Sequence, residues 1–179
     1  MTDDTDSKDR WRRVLRARRR IRVLRGDTPA ISTSVARLVA SLGAHHVASY
    51  VPMPDEPIPG VDAEFLPRLF SADGPLPIGS WGTGPLESPR PQWPSQPQHP
   101  TDVLGADLVL VPALAVDISG VRLGKGGGWY DRTLGEFSAP IYAVVWADEV
   151  YPPHTLPRAP HDYPLDGCVT EEGIHSFHM

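Results

Sequence analysis

Thirteen of the chain's 21 prolines fall between Pro52 and Pro100. Proline fixes its own φ, lacks an N–H to donate, and pushes the preceding residue out of the helical region. Helix is therefore excluded through most of this segment. Within the segment one strand is expected at Glu64 to Phe70, and residues 71–100 are expected to be a proline-rich loop.

The flanking regions are patterned differently. Residues 8–25 contain neither Pro nor Gly and are rich in Arg, Leu and Ala, all strong helix formers. Trp11, Val14, Leu15, Ala17, Ile21 and Leu24 trace a narrow apolar stripe, and Asp9 suits the positive end of the helix dipole. The turn Gly26-Asp27-Thr28-Pro29 stops this helix. A second is predicted from Ile31 to Leu42, with Gly43 as its C-terminal stop. Short buried strands are predicted at His46–Val51, Asp107–Val111 and Ile141–Trp146, with a last one at Cys168-Val169. A third helix is predicted from Trp129 to Phe137. Helices alternating with fully apolar strands indicate an α/β fold, a mostly parallel sheet flanked by helices in Rossmann-like layers. The 179 residues fit one domain, with residues 1–7 expected to be disordered.

With 40% hydrophobic residues the chain can bury a substantial core. No apolar run approaches the length of a membrane span. The acidic, polar start MTDDTDSKDR lacks the apolar stretch of a secretory signal. A single cysteine, Cys168, excludes an internal disulfide framework, and a reducing cytoplasm is the expected compartment. The histidines at 45, 46, 154, 161, 175 and 178 lack a Cys or carboxylate frame at zinc-ligand spacing. Asp117, after a predicted strand, is either a second acidic group of the site or the cap of the following turn, and Tyr142 and Trp146 are expected to pack in the core.

Charge is unevenly spread. Nine arginines stand between Arg10 and Arg25 with no acidic residue among them, so the net −5 divides into +9 there and −14 elsewhere. Such a helix needs an anionic counterpart: a ligand, the acidic remainder of the chain, or a nucleic acid.

The densest chemical signal is Val116 to Arg132, VDISGVRLGKGGGWYDR. Gly124, Gly126, Gly127 and Gly128 follow a predicted strand and open a predicted helix. Glycines there let backbone N–H groups approach an anion, and Arg122 and Lys125 add charge at the same place. Neither standard nucleotide template fits. A P-loop needs four residues between its glycines and Ser or Thr after its lysine, and the dinucleotide fingerprint would need Gly or Ala where Trp129 stands.

The run RLGKGGGWYDR, preceded by DLVLVPALAVD, resembles the signature of the 5-formyltetrahydrofolate cyclo-ligases. Three further segments are similar in the family's order: Lys8-Asp9-Arg10-Trp11-Arg12 with Leu15 and Arg18, Tyr50 to Glu56, and Leu156 to Asp162 with Leu165, Asp166 and Thr170. Trp129 stands in place of the family's tyrosine, and the region after Glu56 is shorter than usual. The resemblance implies an ATP- and Mg²⁺-dependent ring closure. The formyl oxygen of 5-formyltetrahydrofolate takes the γ-phosphoryl group, N10 attacks the activated carbon, and phosphate leaves as the 5,10-methenyl bridge forms.

By that resemblance, ATP contacts come from Lys8, Asp9, Arg10, Trp11 and Arg12, and from Arg122, Leu123, Gly124, Lys125, Gly126, Gly127, Gly128, Trp129 and Tyr130. Arg122, Lys125 and Tyr130 are the implied catalytic residues. Asp131 and Asp162 would hold Mg²⁺ through hard carboxylate oxygens. Val51, Glu56 and the Lys125–Trp129 loop would contact the folate, the carboxylate accepting the pterin's adjacent N–H donors. A monomer without membrane or nucleic-acid partners is expected. Two alternatives stand beside this reading: a divergent nucleotide-binding paralogue without folate turnover, and a nucleic-acid-binding protein using the arginine helix.

Overall fold

The computed structural model describes residues 4–25 and 30–177. The Gly26–Pro29 turn, His178 and residues 1–3 lie outside the described residues. Five strands form the central sheet: β1 (Val47–Ala48), β5 (Leu108–Pro112), β8 (Ile141–Val144), β10 (Gly167–Thr170) and β11 (Gly173–Ser176), in the order β1-β5-β8-β10-β11. The first four run parallel and β11 pairs antiparallel with β10. This is the expected parallel layer, with a closing hairpin that the sequence did not mark.

Both faces of the sheet are covered, which is why its strands read as continuous apolar runs. Leu108 and Leu110 of β5 face helix α2 (Ala30–Leu42), which buries Ile31, Val35 and Leu38 against them. Tyr142 and Trp146 lie in this layer, as predicted. Val109 and Val111 point the other way, into a cluster with Phe65, Trp81, Trp129 and Phe137. Cys168 is buried there, and burial pushes its thiol up to about 12.

The proline-rich segment is not the loop expected over 71–100. It forms an antiparallel sheet of β2 (Leu66–Ser71), β3 (Gly74–Glu87) and β4 (Gln96–Thr101). Proline excludes helix but tolerates strand edges and bulges. The pairing shifts register between Arg68 and Phe70 and again between Thr83 and Leu86. At the first shift the buried Gln96 side chain completes the ladder. Its Oε1 accepts the N–H groups of Leu69 and Phe70 at 2.9 and 3.0 Å, and its Nε2 donates to Phe70 O at 2.7 Å.

A third sheet joins β6 (Ala115–Asp117), β7 (Val121–Leu123) and β9 (Val150–Tyr151). Asp117 serves a structural end here: Oδ1 accepts from Ser119 N and Oδ2 from Leu156 N, both at 3.0 Å. Helix α1 (Asp4–Arg25) lies against this sheet, so residues 4–7 are helical rather than disordered as expected.

The stripe that α1 buries also differs from the predicted one. Leu15 is buried and Trp11 half-buried, but Val14, Ala17 and Ile21 face solvent; the side chain of Leu24 lies outside the described ones. The inward position after Leu15 is Arg19, 1% exposed. Its guanidinium donates to Glu149 Oε1 and Oε2 at 2.8 and 2.7 Å and to Ala113 O. Arg22 reaches Asp148 and Arg18 reaches Tyr151. Arg19 and Arg22 thus answer acidic groups in the remainder of the chain. Among the described residues no helix is long and apolar enough to cross a membrane.

Candidate active site

A cleft of about 470 Å³ opens where the three sheets meet α1. One wall is the glycine-rich loop Gly124–Gly128, between β7 and helix α3 (Trp129–Thr133). The helix predicted to Phe137 stops at Thr133 and passes into a single 3₁₀ turn, Leu134–Glu136. So short a helix adds little dipole. Positive charge at the loop must come from side chains, and the cleft supplies Lys8, Arg12, Arg122 and Lys125.

The loop conformation needs its glycines. Gly126 and Gly128 have φ of 110° and 63°, a region that L side chains avoid. From α1, Arg12 Nε donates to Gly124 O at 3.0 Å and Arg16 Nη2 to Lys125 O at 2.7 Å. Two carbonyls are thereby tied to the helix.

Arg122, 5% exposed, sits at the back of the cleft. It donates to Pro112 O at 3.1 Å and to Asp131 Oδ2 at 3.0 Å, while its Nε is buried without a protein partner. Its guanidinium lies 5.3 Å over the ring of Tyr130. Burial, helped by the charge of Glu56, pushes the Tyr130 hydroxyl well above its ordinary range. It stays protonated and able to donate.

Asp131 and Asp162, distant in sequence, both line this cleft. A single peptide joins their surroundings, because the N–H of Tyr163 donates to Asp131 Oδ1 at 3.3 Å. Asp162 accepts both Lys8 Nζ, at 2.6 and 2.8 Å, and the N–H of Ala159. No group of three His, Cys, Asp or Glu side chains that could hold a metal occurs among the described residues. Two hard carboxylates in one cleft nevertheless suit a Mg²⁺ that arrives with phosphate, since that ion keeps most of its ligands as water and phosphate oxygens.

Across from the loop, Val51 and Glu56 follow β1. Glu56 is nearly buried; its Oε2 accepts the N–H of Met53 at 2.9 Å and its Oε1 lies 3.0 Å from Lys125 Nζ. Lys125 also donates to Asp55 at 2.8 Å. Burial alone would raise the Asp55 carboxyl, but the hydrogen bond and charge of Lys125 outweigh it and hold the group low.

Most of the residues predicted from the sequence converge here: Lys8, Arg12, Val51, Glu56, Arg122 through Asp131, and Asp162. Asp9, Arg10 and Trp11 do not line the cleft. Asp9 pairs with Arg12, Arg10 is exposed, and Trp11 packs edge-on against Tyr151 with ring centres 5.0 Å apart. Sequence reasoning missed the far wall, formed by Tyr50, Met53, Leu69, Phe70 and Gln96, and missed His161 at the rim. Leu69, Phe70 and Gln96 belong to the sheet hidden behind the prolines, which the strand expected at Glu64 to Phe70 marked only in part, and Tyr50 and Met53 belong to the segment after β1.

Comparison with known proteins points to one family. Residues 62–171 match the family described as the 5-formyltetrahydrofolate cyclo-ligase family. A 5-formyltetrahydrofolate cyclo-ligase from Mycolicibacterium smegmatis is 38% identical over 147 residues, covering 69% of this chain and 72% of that protein. Among solved structures, 5,10-methenyltetrahydrofolate synthetase from Aquifex aeolicus superposes with a TM-score of 0.72 at 24% identity, covering 96% of this chain and 93% of that one. The corresponding enzyme from Mycoplasma pneumoniae gives 0.66 at 18% identity, over 92% of this chain and 99% of that one. The two structures share the fold, and the family match spans the glycine-rich loop and both cleft aspartates; the chain belongs to the 5-formyltetrahydrofolate cyclo-ligase family.

Proposed function

We propose that the protein converts 5-formyltetrahydrofolate to 5,10-methenyltetrahydrofolate at the expense of ATP, releasing ADP and phosphate. The observation that carries this reading is a single cleft with a cation-lined glycine loop on one side and the nearly buried carboxylate of Glu56 on the other. One half suits a triphosphate and the other an N–H-bearing pterin.

The formyl oxygen attacks the γ-phosphorus and ADP departs, leaving an iminium-type phosphate ester on the folate. N10 then adds to the activated carbon, and loss of phosphate with the N10 proton closes the methenyl bridge. Such chemistry asks for positioning and charge neutralisation more than for an activated nucleophile. Arg122, held rigid by Pro112 O and Asp131, faces the developing charge with a fixed guanidinium. Lys125 supplies a mobile cation, and the protonated Tyr130 a hydrogen-bond donor. Lys8 and Arg12 bring α1 to the phosphate side, with Leu123, the loop amides of Gly124–Gly128 and Trp129 completing that wall. Mg²⁺ held by Asp131 and Asp162 would neutralise the transferring phosphoryl group. Val51 and Glu56 orient the folate, Glu56 accepting N–H donors through its carboxylate. The reading makes the protein a cytoplasmic enzyme of one-carbon metabolism.

A turnover assay tests it. Protein, 5-formyltetrahydrofolate and MgATP are mixed, and the near-ultraviolet absorbance of the methenyl product is followed. A rise that needs both ATP and Mg²⁺, and is lost in Asp131→Ala, is expected. A flat trace from folded protein that still binds ATP counts against turnover and favours a nucleotide-binding paralogue.

A further inference from the structure

Each of three cations in the cleft rests on carboxylates: Lys8 on Asp162, Arg122 on Asp131, and Lys125 on Asp55 and Glu56. These pairs are not held equally. The Lys8 and Arg122 pairs are largely shielded from solvent, whereas the Lys125 and Asp55 side chains are 35% and 32% exposed. An exposed pair between flexible side chains is the weakest and the most screened by salt. When a polyanion enters, Lys125 is the cation of these three that can change partner most cheaply.

Its backbone is built for that exchange. Arg12 and Arg16 fix the carbonyls of Gly124 and Lys125, and Gly126 turns the chain immediately afterwards. The root of Lys125 is pinned while its four-carbon stem is free to swing. At present the ammonium spans the cleft from the glycine loop to the turn that carries Asp55 and Glu56. It occupies Glu56 Oε1, and the other carboxylate oxygen is taken by the N–H of Met53.

We propose that Asp55 is a positioning residue that competes with the nucleotide's phosphates for Lys125, so that phosphate binding draws the ammonium off the Asp55–Glu56 pair and frees Glu56 for the folate. The inference rests on the function proposed above and adds an order to it. Nucleotide prepares the folate half of the cleft, and by linkage folate tightens nucleotide binding in return. Asp55 stands in a segment that resembles the family but is not among the implied site residues, and it touches the reaction only through Lys125.

A double-mutant cycle on binding tests it. Affinity for a non-hydrolysable ATP analogue with Mg²⁺ is measured by calorimetry for the unaltered chain, Asp55→Asn, Lys125→Met and the double variant. Asp55→Asn is expected to tighten the analogue about 3–10-fold when Lys125 is present and less than about twofold in the Lys125→Met background. Equal tightening in both backgrounds would mean that only the general field had changed, and would overturn the proposal. Unchanged or weaker binding in Asp55→Asn overturns it as well. In parallel, the analogue is expected to lower the Kd for 5-formyltetrahydrofolate in the unaltered chain, with that gain collapsing in Lys125→Met. A chain that binds the analogue and turns over substrate but lacks this coupling loses only the present proposal. One that binds no analogue at all loses the proposed function too.

Discussion

Gly79 lies so close beneath the indole of Trp129 that a Cβ at position 79 would sit 1.2 Å from Trp129 Nε1. The glycine in β3 is what lets a tryptophan, rather than a smaller ring, line the cleft beside Tyr130. Gly79→Ala is expected to push the indole out of the wall and cost about 1–3 kcal/mol as overpacking. In a Trp129→Ala background the colliding ring is gone, and Gly79→Ala should cost markedly less. Thermal denaturation of the two single variants and the double variant reads the coupling, and simple additivity would contradict the contact.

Arg19 and Glu149 are each 1% exposed and are joined by two hydrogen bonds. Removing one charge strands the other in the interior. Glu149→Gln is expected to destabilise by about 3–5 kcal/mol, whereas replacing both residues with apolar groups of similar size should be close to neutral. Urea titration of the two variants distinguishes a costly broken pair from a pair that contributed little.

Arg16 is exposed, yet its guanidinium holds Lys125 O. Arg16→Ala is expected to raise KM for ATP by about 3–10-fold with a smaller change in kcat, because it loosens the cradle without touching the reacting atoms. Arg16→Lys should recover part of the loss. An unchanged KM with reduced kcat would place the residue's effect elsewhere.

His46 Nδ1 meets Glu64 Oε2 at 2.5 Å on the surface, and that hydrogen bond, with the carboxylate's charge, raises the imidazole above its ordinary 6.5. Because the folded value exceeds the unfolded one, the pair's contribution is fully present below pH 6.5 and fades as pH rises through the folded value. An NMR titration should show His46 with a raised midpoint that falls back toward 6.5 in Glu64→Gln. A midpoint indifferent to the substitution contradicts the pairing.

The parallel sheet was legible because Leu108 to Val111 must be buried on both faces, and no other arrangement suits such a run at that length. The glycine loop was legible because so many glycines beside Lys125 and Arg122 have few structural uses. Arg19 was hidden among eight identical neighbours, and only its spacing of four from Leu15 set it apart. The sheet β2–β4 was hidden for a different reason. Its ladder is completed by the Gln96 side chain where the backbone pairing shifts, and no local pattern announces a bond between residues 96 and 70. Asp131 and Asp162 could be named from the family resemblance, but no local pattern shows that they line one cleft, where the Tyr163 N–H donates to Asp131.

The outer strands of that hidden sheet, β2 and β4, carry Pro67 and the pair Pro97 and Pro100. A free strand edge invites a second chain to dock on its unpaired donors, and a proline removes the donor at its position. Pro67 and Pro97 are buried and Pro100 is exposed. The composition that closes this segment to helix thus also thins the donors its outer strands carry. The cleft keeps a wall of extended chain with fewer free N–H groups for a neighbouring strand to pair with.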